Sequence, residues 1–516
     1  MALLRSVATV GSYTLVSRVF GFIRDILTAA ILGAGPMADA FFVAQRLPNL
    51  FRSLFAEGAF SAAFVPLASG TLAEGGKPAL RIFAEEAFAV LFAALFAFVL
   101  LGEIFMPWVM RVIAPGFEAE PGKFDLVVTM SRITFPYLLF ISLTALQGGL
   151  LNTVDRFAAP AATPILLNLF LIAGLLLMAH FHWQDGQILA LALSAAGIAQ
   201  FLWLMASCAK AGIALRLRLP RLTPAVRQTL KVMGPGVLGA GVTQLNLLIS
   251  TALASLLPGG SVSYLYYADR LNQLPLGVVG IAVATAILPP LSRQVRTGDE
   301  AGAMATQNRG VELALLLTLP AAAALVVLAQ PILAVLFQRG AFGPTETSAT
   351  AAALAAYAVG LPAFVLVKVL APGFFARHNT ATPVKVAVAA LAANLLLTVV
   401  LMKFLAHVGV AIALSASGWM QTVLLLVLLS RHGHFRLDRR ARGNIPRIAS
   451  AALGMAAAVL ALRLALAPAL AGPIALRLAA LAGLIAAGVV IFTVLILLLG
   501  VTDWRELRGQ LRRLPA

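Results

Sequence analysis

Long apolar segments recur along the whole chain, separated by short polar connections. A bilayer core is about 30 Å thick, so a helix needs about 20 apolar residues to cross it. No water is present there to satisfy the backbone, so every N–H and C=O must be bonded internally. A window of about 20 residues finds fourteen such segments, near 7–32, 38–70, 82–113, 125–153, 160–182, 187–209, 225–257, 262–292, 306–336, 346–376, 383–404, 408–430, 446–468 and 474–500. The predicted fold class is an all-α polytopic membrane protein with about 14 transmembrane helices. Composition agrees: 61% of residues are hydrophobic and 11% charged, against about 25% charged in soluble proteins.

The net charge of +18 would suit nucleic acid, but the basic residues lie in short loops, where they set topology instead. With a cytoplasmic N-terminus, 25 of the 38 Lys and Arg fall on cytoplasmic segments and 6 on the opposite side. Both termini are therefore expected in the cytoplasm, and the apolar N-terminus shows no cleavable signal peptide. The single cysteine, Cys208, excludes an intrachain disulfide. No metal site or cofactor is expected.

Topology leaves seven basic residues unexplained: Arg18, Arg24, Arg46, Arg52, Arg132, Arg270 and Lys368. Four lie between Ser17 and Pro66, together with Asp25, Asp39 and Glu57. A charge at the centre of a membrane helix costs about 2.5–3.5 kcal/mol on insertion scales, so these residues should face protein or water. Arginine offers paired planar donors that match phosphate and carboxylate. An intramembrane site for an anionic group is the reading that follows. Asp25, Asp39 and Asp269 are expected to orient the arginines when the site is empty. At 100° per residue Arg24 points about 120° away from Arg18, so both face one cavity only if Gly21, or the Gly33–Pro36 segment, bends the helix. Lys368 sits mid-span and either meets the cavity or snorkels.

An internal repeat organises the chain. AQRLPNL (44–50) matches ADRLNQL (268–274), and Pro136, Gly148 and Asn168 match Pro362, Gly373 and Asn394 at offsets of about 225. The expected domains are six-helix lobes at 1–224 and 225–430, two extra helices at 445–500, and an interfacial amphipathic helix at 501–516. Six helices per half make the repeats parallel, and such transporters place substrate between the halves. Arg46 and Arg270 are repeat equivalents.

SRVFGFIRD (17–25), DAFFVA (39–44), RLPNLFRSLFAEGAFSAAFVP (46–66), YYADRL (266–271), LAPGFFAR (370–377) and TPVK (382–385) together closely resemble the MurJ (MviN) family of lipid II flippases. These belong to the multidrug/oligosaccharidyl-lipid/polysaccharide exporter superfamily. The resemblance is nearly collinear and weakens after about residue 430. It implies a protein of the bacterial inner membrane that moves undecaprenyl-diphosphate-linked disaccharide-pentapeptide outward for peptidoglycan synthesis. It also implies Arg18, Arg24, Arg52 and Arg270 as the substrate-binding residues, Asp25 and Asp39 as supporting ones, and a tail groove on the last two helices. Lipid II, membrane lipids and the cell-wall synthesis machinery are the implied partners, and the chain is expected to act as a monomer. Some members bind sodium through aspartates on the seventh and eleventh spans, but 225–257 and 383–404 hold no acidic residue here. A flippase for another polyprenyl-diphosphate glycan shares the same logic. A drug/cation antiporter would want an acidic cavity, and a membrane diphosphatase would need a core histidine.

Overall fold

The structure, a computed structural model, describes residues 2–52, 60–183 and 186–501. Glu57 and nearly all of the expected C-terminal amphipathic helix lie outside the described residues. The described chain runs α1 (Ala2–Leu32), α2 (Pro36–Arg52), α3 (Phe60–Ile113), a 3-10 turn (Pro115–Ala119), α4 (Lys123–Thr134), α5 (Tyr137–Thr153), α6 (Ala158–Phe181) and α7 (Gln187–Lys210). It continues with α8 (Pro224–Ser255), α9 (Ser261–Arg296), α10 (Glu300–Leu336), α11 (Pro344–Phe375), α12 (Ala381–Arg431), α13 (Arg439–Ala465), the short α14 (Ala467–Ala471) and α15 (Ile474–Leu498).

Ten helical stretches among the described residues are long and apolar enough to cross a membrane. Two of them, in α3 and α12, are 51 residues each, more than twice what one crossing needs. Each is interrupted by a single residue with non-helical backbone. In α3 this is Gly76, at φ 66°, ψ −166°, a conformation glycine adopts without steric cost. In α12 it is Ala406, at φ 46°, ψ −130°, where a Cβ is strained. The chain passes so close to itself beyond Ala406 that a Cβ on Gly409 would lie 2.5 Å from the Leu401 carbonyl oxygen.

Packing divides the chain into two compact units. One comprises Met1–Ser263 with Arg339–Phe342; the other comprises Tyr264–Gln338 with Gly343–Ala516. Helix α8 thus packs with the first unit, although the repeat counts it with the second half. The repeat is a duplication of sequence, whereas the unit is a matter of contact.

Within each unit a helix is stitched to a parallel neighbour by side chains that bond to carbonyls, α7 to the successive α4 and α5 in the first unit and α12 to α11 in the second. In the first unit the Ser194 hydroxyl donates to the Ile133 carbonyl, and the Cys208 thiol to that of Gln147 at 3.9 Å. Gly197 seats the Tyr137 ring between these two rungs. In the second unit His407 Nε2 meets Ala349 O at 2.9 Å, Ser415 donates to Ala356 at 2.7 Å, Trp419 to Val359 at 3.0 Å and Thr422 to Ala363 at 3.0 Å. Lipid is as apolar as leucine, so helix association relies on such bonds and on close packing of small residues. The second unit's apolar core joins α9, α10, α11 and α12 through Ile287, Val311, Val369 and Leu425.

The basic linker at 211–223 is tied down by acid. Glu85 of α3 is fully buried and receives Arg81 Nε at 2.9 Å, the Arg216 N–H at 3.2 Å and Arg218 Nε at 2.6 Å. Glu86 accepts from the Thr223 hydroxyl at 2.9 Å. Leu217, Leu219 and Leu222 stay exposed.

The reversal at Ala406 yields a paired test. Ala406→Gly removes about 1 kcal/mol or more of backbone strain and should raise the thermal unfolding midpoint of the purified protein. Gly409→Ala should lower it. Equal midpoints for both variants would show that the turn is not strained as described.

Candidate functional site

The first unit holds a cavity of about 720 Å³ walled by α1, α2, α5, α6 and α7. Arg18 of α1 and Arg52, the last residue of α2, both line it. Gly148 and Gly149 leave it room on α5, and Thr144, Asn152, Thr163 and Gln200 supply polar surface. Among the described residues no carboxylate lines it, so both formal charges on its wall are positive. Arg52 is half-buried, with Nε 3.4 Å from Asn49 Oδ1. Arg18 is exposed and, among the described residues, makes no hydrogen bond or ion pair.

Arg24 lies elsewhere. Helix α1 runs unbroken through Gly21, so the 120° offset holds and carries Arg24 away from Arg18. Its Nη2 and Nε donate to Asp25 Oδ1 at 2.7 and 3.1 Å, and its Nη1 to Asn168 Oδ1 at 3.0 Å. Asn168 in turn donates to the Ser17 carbonyl at 3.0 Å. All three side chains are buried. Gly21 does not bend the helix; it seats Asn168, whose Nδ2 would be 3.5 Å from a Cβ there.

The Asp39 carboxylate is met on both oxygens, and its cationic partner is a lysine rather than an arginine. It is 1% exposed. Oδ1 accepts from the Ser263 N–H at 2.9 Å and its hydroxyl at 2.6 Å; Oδ2 accepts from the Gly260 N–H at 2.7 Å and Lys123 Nζ at 3.1 Å. The carboxylate therefore caps the first turn of α9, where unsatisfied N–H groups favour an anion. Lys123 is itself buried, donating also to Glu120 at 2.9 Å and lying 4.2 Å from the Phe117 ring centroid. Lys123 and Ser263 were not singled out as site residues by sequence, and Asn168 entered only as a repeat match to Asn394. Lys123 carried a signal of its own, as one of the few basic residues on the side that the charge bias disfavours.

In the second unit Arg270 is half-buried, bonded to the Tyr266 hydroxyl one turn earlier at 3.2 and 3.3 Å and lying over its ring. Asp269 accepts from the Gln273 amide. Lys368 of α11 is half-buried in the space left by Gly280 of α9, where a Cβ would lie 3.1 Å from its Nζ. Among the described residues it makes no ion pair. Arg46 is half-buried on α2.

A chain whose described elements are all helices, with ten stretches able to cross a membrane and a cavity lined by two arginines, has the build of a transporter. Solved structures share that fold: a multidrug resistance MATE family transporter of the MOP superfamily, in an inward-facing conformation, aligns over 83% of this chain and 98% of its own, with a TM-score of 0.68 at 12% identity. The chain belongs to the MurJ family of lipid II flippases, whose sequence model matches residues 28–480. A probable lipid II flippase MurJ of Rhizobium meliloti is 45% identical over 99% of this chain and 97% of its own. One of Vibrio cholerae is 38% identical over 97% and 96%. The solved structure of a lipid II flippase MurJ in an inward closed conformation aligns over 97% and 99%, with a TM-score of 0.79 at 25% identity.

Breaking a buried ion pair by removing one partner costs about 3–5 kcal/mol. Asp39→Asn should therefore lower the unfolding midpoint markedly, and Asp39→Asn with Lys123→Met should lose less than the sum of the single changes. Strictly additive losses in that cycle would show the two groups to be uncoupled.

Proposed function

We propose that this chain moves lipid II, the undecaprenyl-diphosphate-linked peptidoglycan precursor, from the cytoplasmic to the outer leaflet of the bacterial inner membrane. The observation that carries the reading is the placement of Arg18 and Arg52 on the wall of one cavity. A diphosphate is the dianion that such a pair suits, since each guanidinium offers planar donors to two phosphate oxygens. Membership of the MurJ family, with relatives at 45% and 38% identity, supports it.

Arg24 serves this site through α1, with Asp25 and Asn168 holding it, while Arg270 is a further substrate-binding residue of the second unit, supported there by Asp269 and Lys368. Arg46 and Glu57 belong to the same supporting set. The loop-charge asymmetry supports cytoplasmic termini. The sequence repeat supports alternating access, and the apolar α13 and α15 suit a polyprenyl tail. The sugars and peptide need a wet passage, while the tail stays in lipid.

The test is an outward-flipping assay for lipid II in cells depleted of their own flippase. Arg18→Ala and Arg52→Ala should each lower flipping at least tenfold at unchanged protein level. Arg52→Lys should recover only part, because lysine keeps the charge and loses the planar fork. Full activity of both alanine variants would remove the diphosphate site from this cavity.

A second measurement concerns Arg24. Asn168→Ala leaves Arg24 Nη1 and the Ser17 carbonyl without their partner, a loss of about 1–3 kcal/mol. It should reduce stability and flipping together, and its effects should be non-additive with Arg24→Ala. A variant with wild-type stability and transport would make Asn168 a bystander.

A further inference from the structure

One buried polar atom on the cavity wall has no hydrogen-bond partner among the described residues. Gln200 of α7 is 1% exposed, and its Nε2 donates to the Thr163 carbonyl of α6 at 2.8 Å. A carbonyl only accepts, so this bond fixes which end of the amide faces α6. The other end, Oε1, is buried and has no hydrogen-bond partner. Gln200 lines the same cavity as Arg18 and Arg52. Buried polar atoms are almost always paired, and an orphan calls for an explanation.

Packing does not supply one. The neighbouring hydroxyl donors are already used. Thr144 donates to the Phe140 carbonyl at 2.7 Å, and Thr163 to that of Pro160. Asn152, at the end of α5, is different: it is exposed on the cavity, and its side-chain amide has no partner among the described residues.

We infer that Gln200, with Asn152, reads the carbohydrate–peptide part of the headgroup. Oε1 can only accept, so its partner is a hydroxyl or an amide N–H. Sugars and peptides carry such donors in number, and an ionised diphosphate carries none. The two arginines then hold the anion that every polyprenyl diphosphate shares, while the amides distinguish what the anion bears. This division rests on reading the cavity as the headgroup site.

The experiment uses the purified full chain in lipid nanodiscs and two probes, lipid II and undecaprenyl diphosphate without sugars. Gln200→Met keeps the side chain's length and removes the amide. It should weaken lipid II binding about tenfold, the loss expected for one unmade hydrogen bond to a buried acceptor. Binding of the sugarless probe should not change, whereas Arg52→Ala should weaken both probes. If Gln200→Met binds both probes as the wild type does, or loses both in parallel, the inference is overturned. Should that variant not fold, Asn152→Ala, at an exposed position, must show the same split at about threefold, and equal effects on the two probes overturn the inference. A wild-type protein that binds neither probe overturns the proposed function and this inference together, an outcome distinct from a wild type that binds both beside a Gln200 variant without selectivity.

Discussion

A charged group taken out of water has to be met by partners within hydrogen-bond reach, and in this chain that requirement fixes which distant segments touch. Asp39 gathers Lys123, Gly260 and Ser263. Glu85 holds the linker at Arg216 and Arg218. Arg24 joins α1 to α6 through Asn168. In the second unit Glu312 accepts from Asn444 at 2.6 Å and pairs with Arg309, which also reaches Asp438, the residue capping α13. Helices in lipid gain little from hiding apolar surface from one another. These few bonds therefore carry a share of the specificity that a soluble protein leaves to its core.

The helices were legible because a membrane demands long apolar stretches, and the stretches are plain in the sequence. Their interruptions were less so. Gly75-Gly76-Lys77-Pro78 reads as a break, and Ala406 falls between the expected spans 383–404 and 408–430, but no turn residue there marks how the chain reverses. Packing was hidden too. Helix α8 falls beyond the repeat boundary, and nothing in its sequence assigns it to the first unit.

At the site, residue type and helical angle went some distance. Arg18 and Arg52 stood out as charges without a topological reason, and the 120° offset already aimed Arg24 elsewhere. The acidic partners were harder. Asp39 looks like an arginine's counterion from its neighbours in sequence, yet its partners are 84 and 224 residues away. Gln200 was invisible for a different reason. One glutamine in an apolar helix costs little by composition, and only the orphaned oxygen makes it informative.

The stitched parallel pairs constrain how the chain can change over evolutionary time. Their rungs join residues 61 apart in the first unit and 58 to 60 apart in the second. One residue inserted between two rungs on the same helix turns everything beyond it by about 100° and unseats the next rung. An insertion in a connection between the paired helices leaves both registers intact. Length variation among descendants of this fold should therefore collect in such connections, such as 154–157 or 376–380, while the segments between rungs keep their residue count even where every side chain facing lipid has been exchanged.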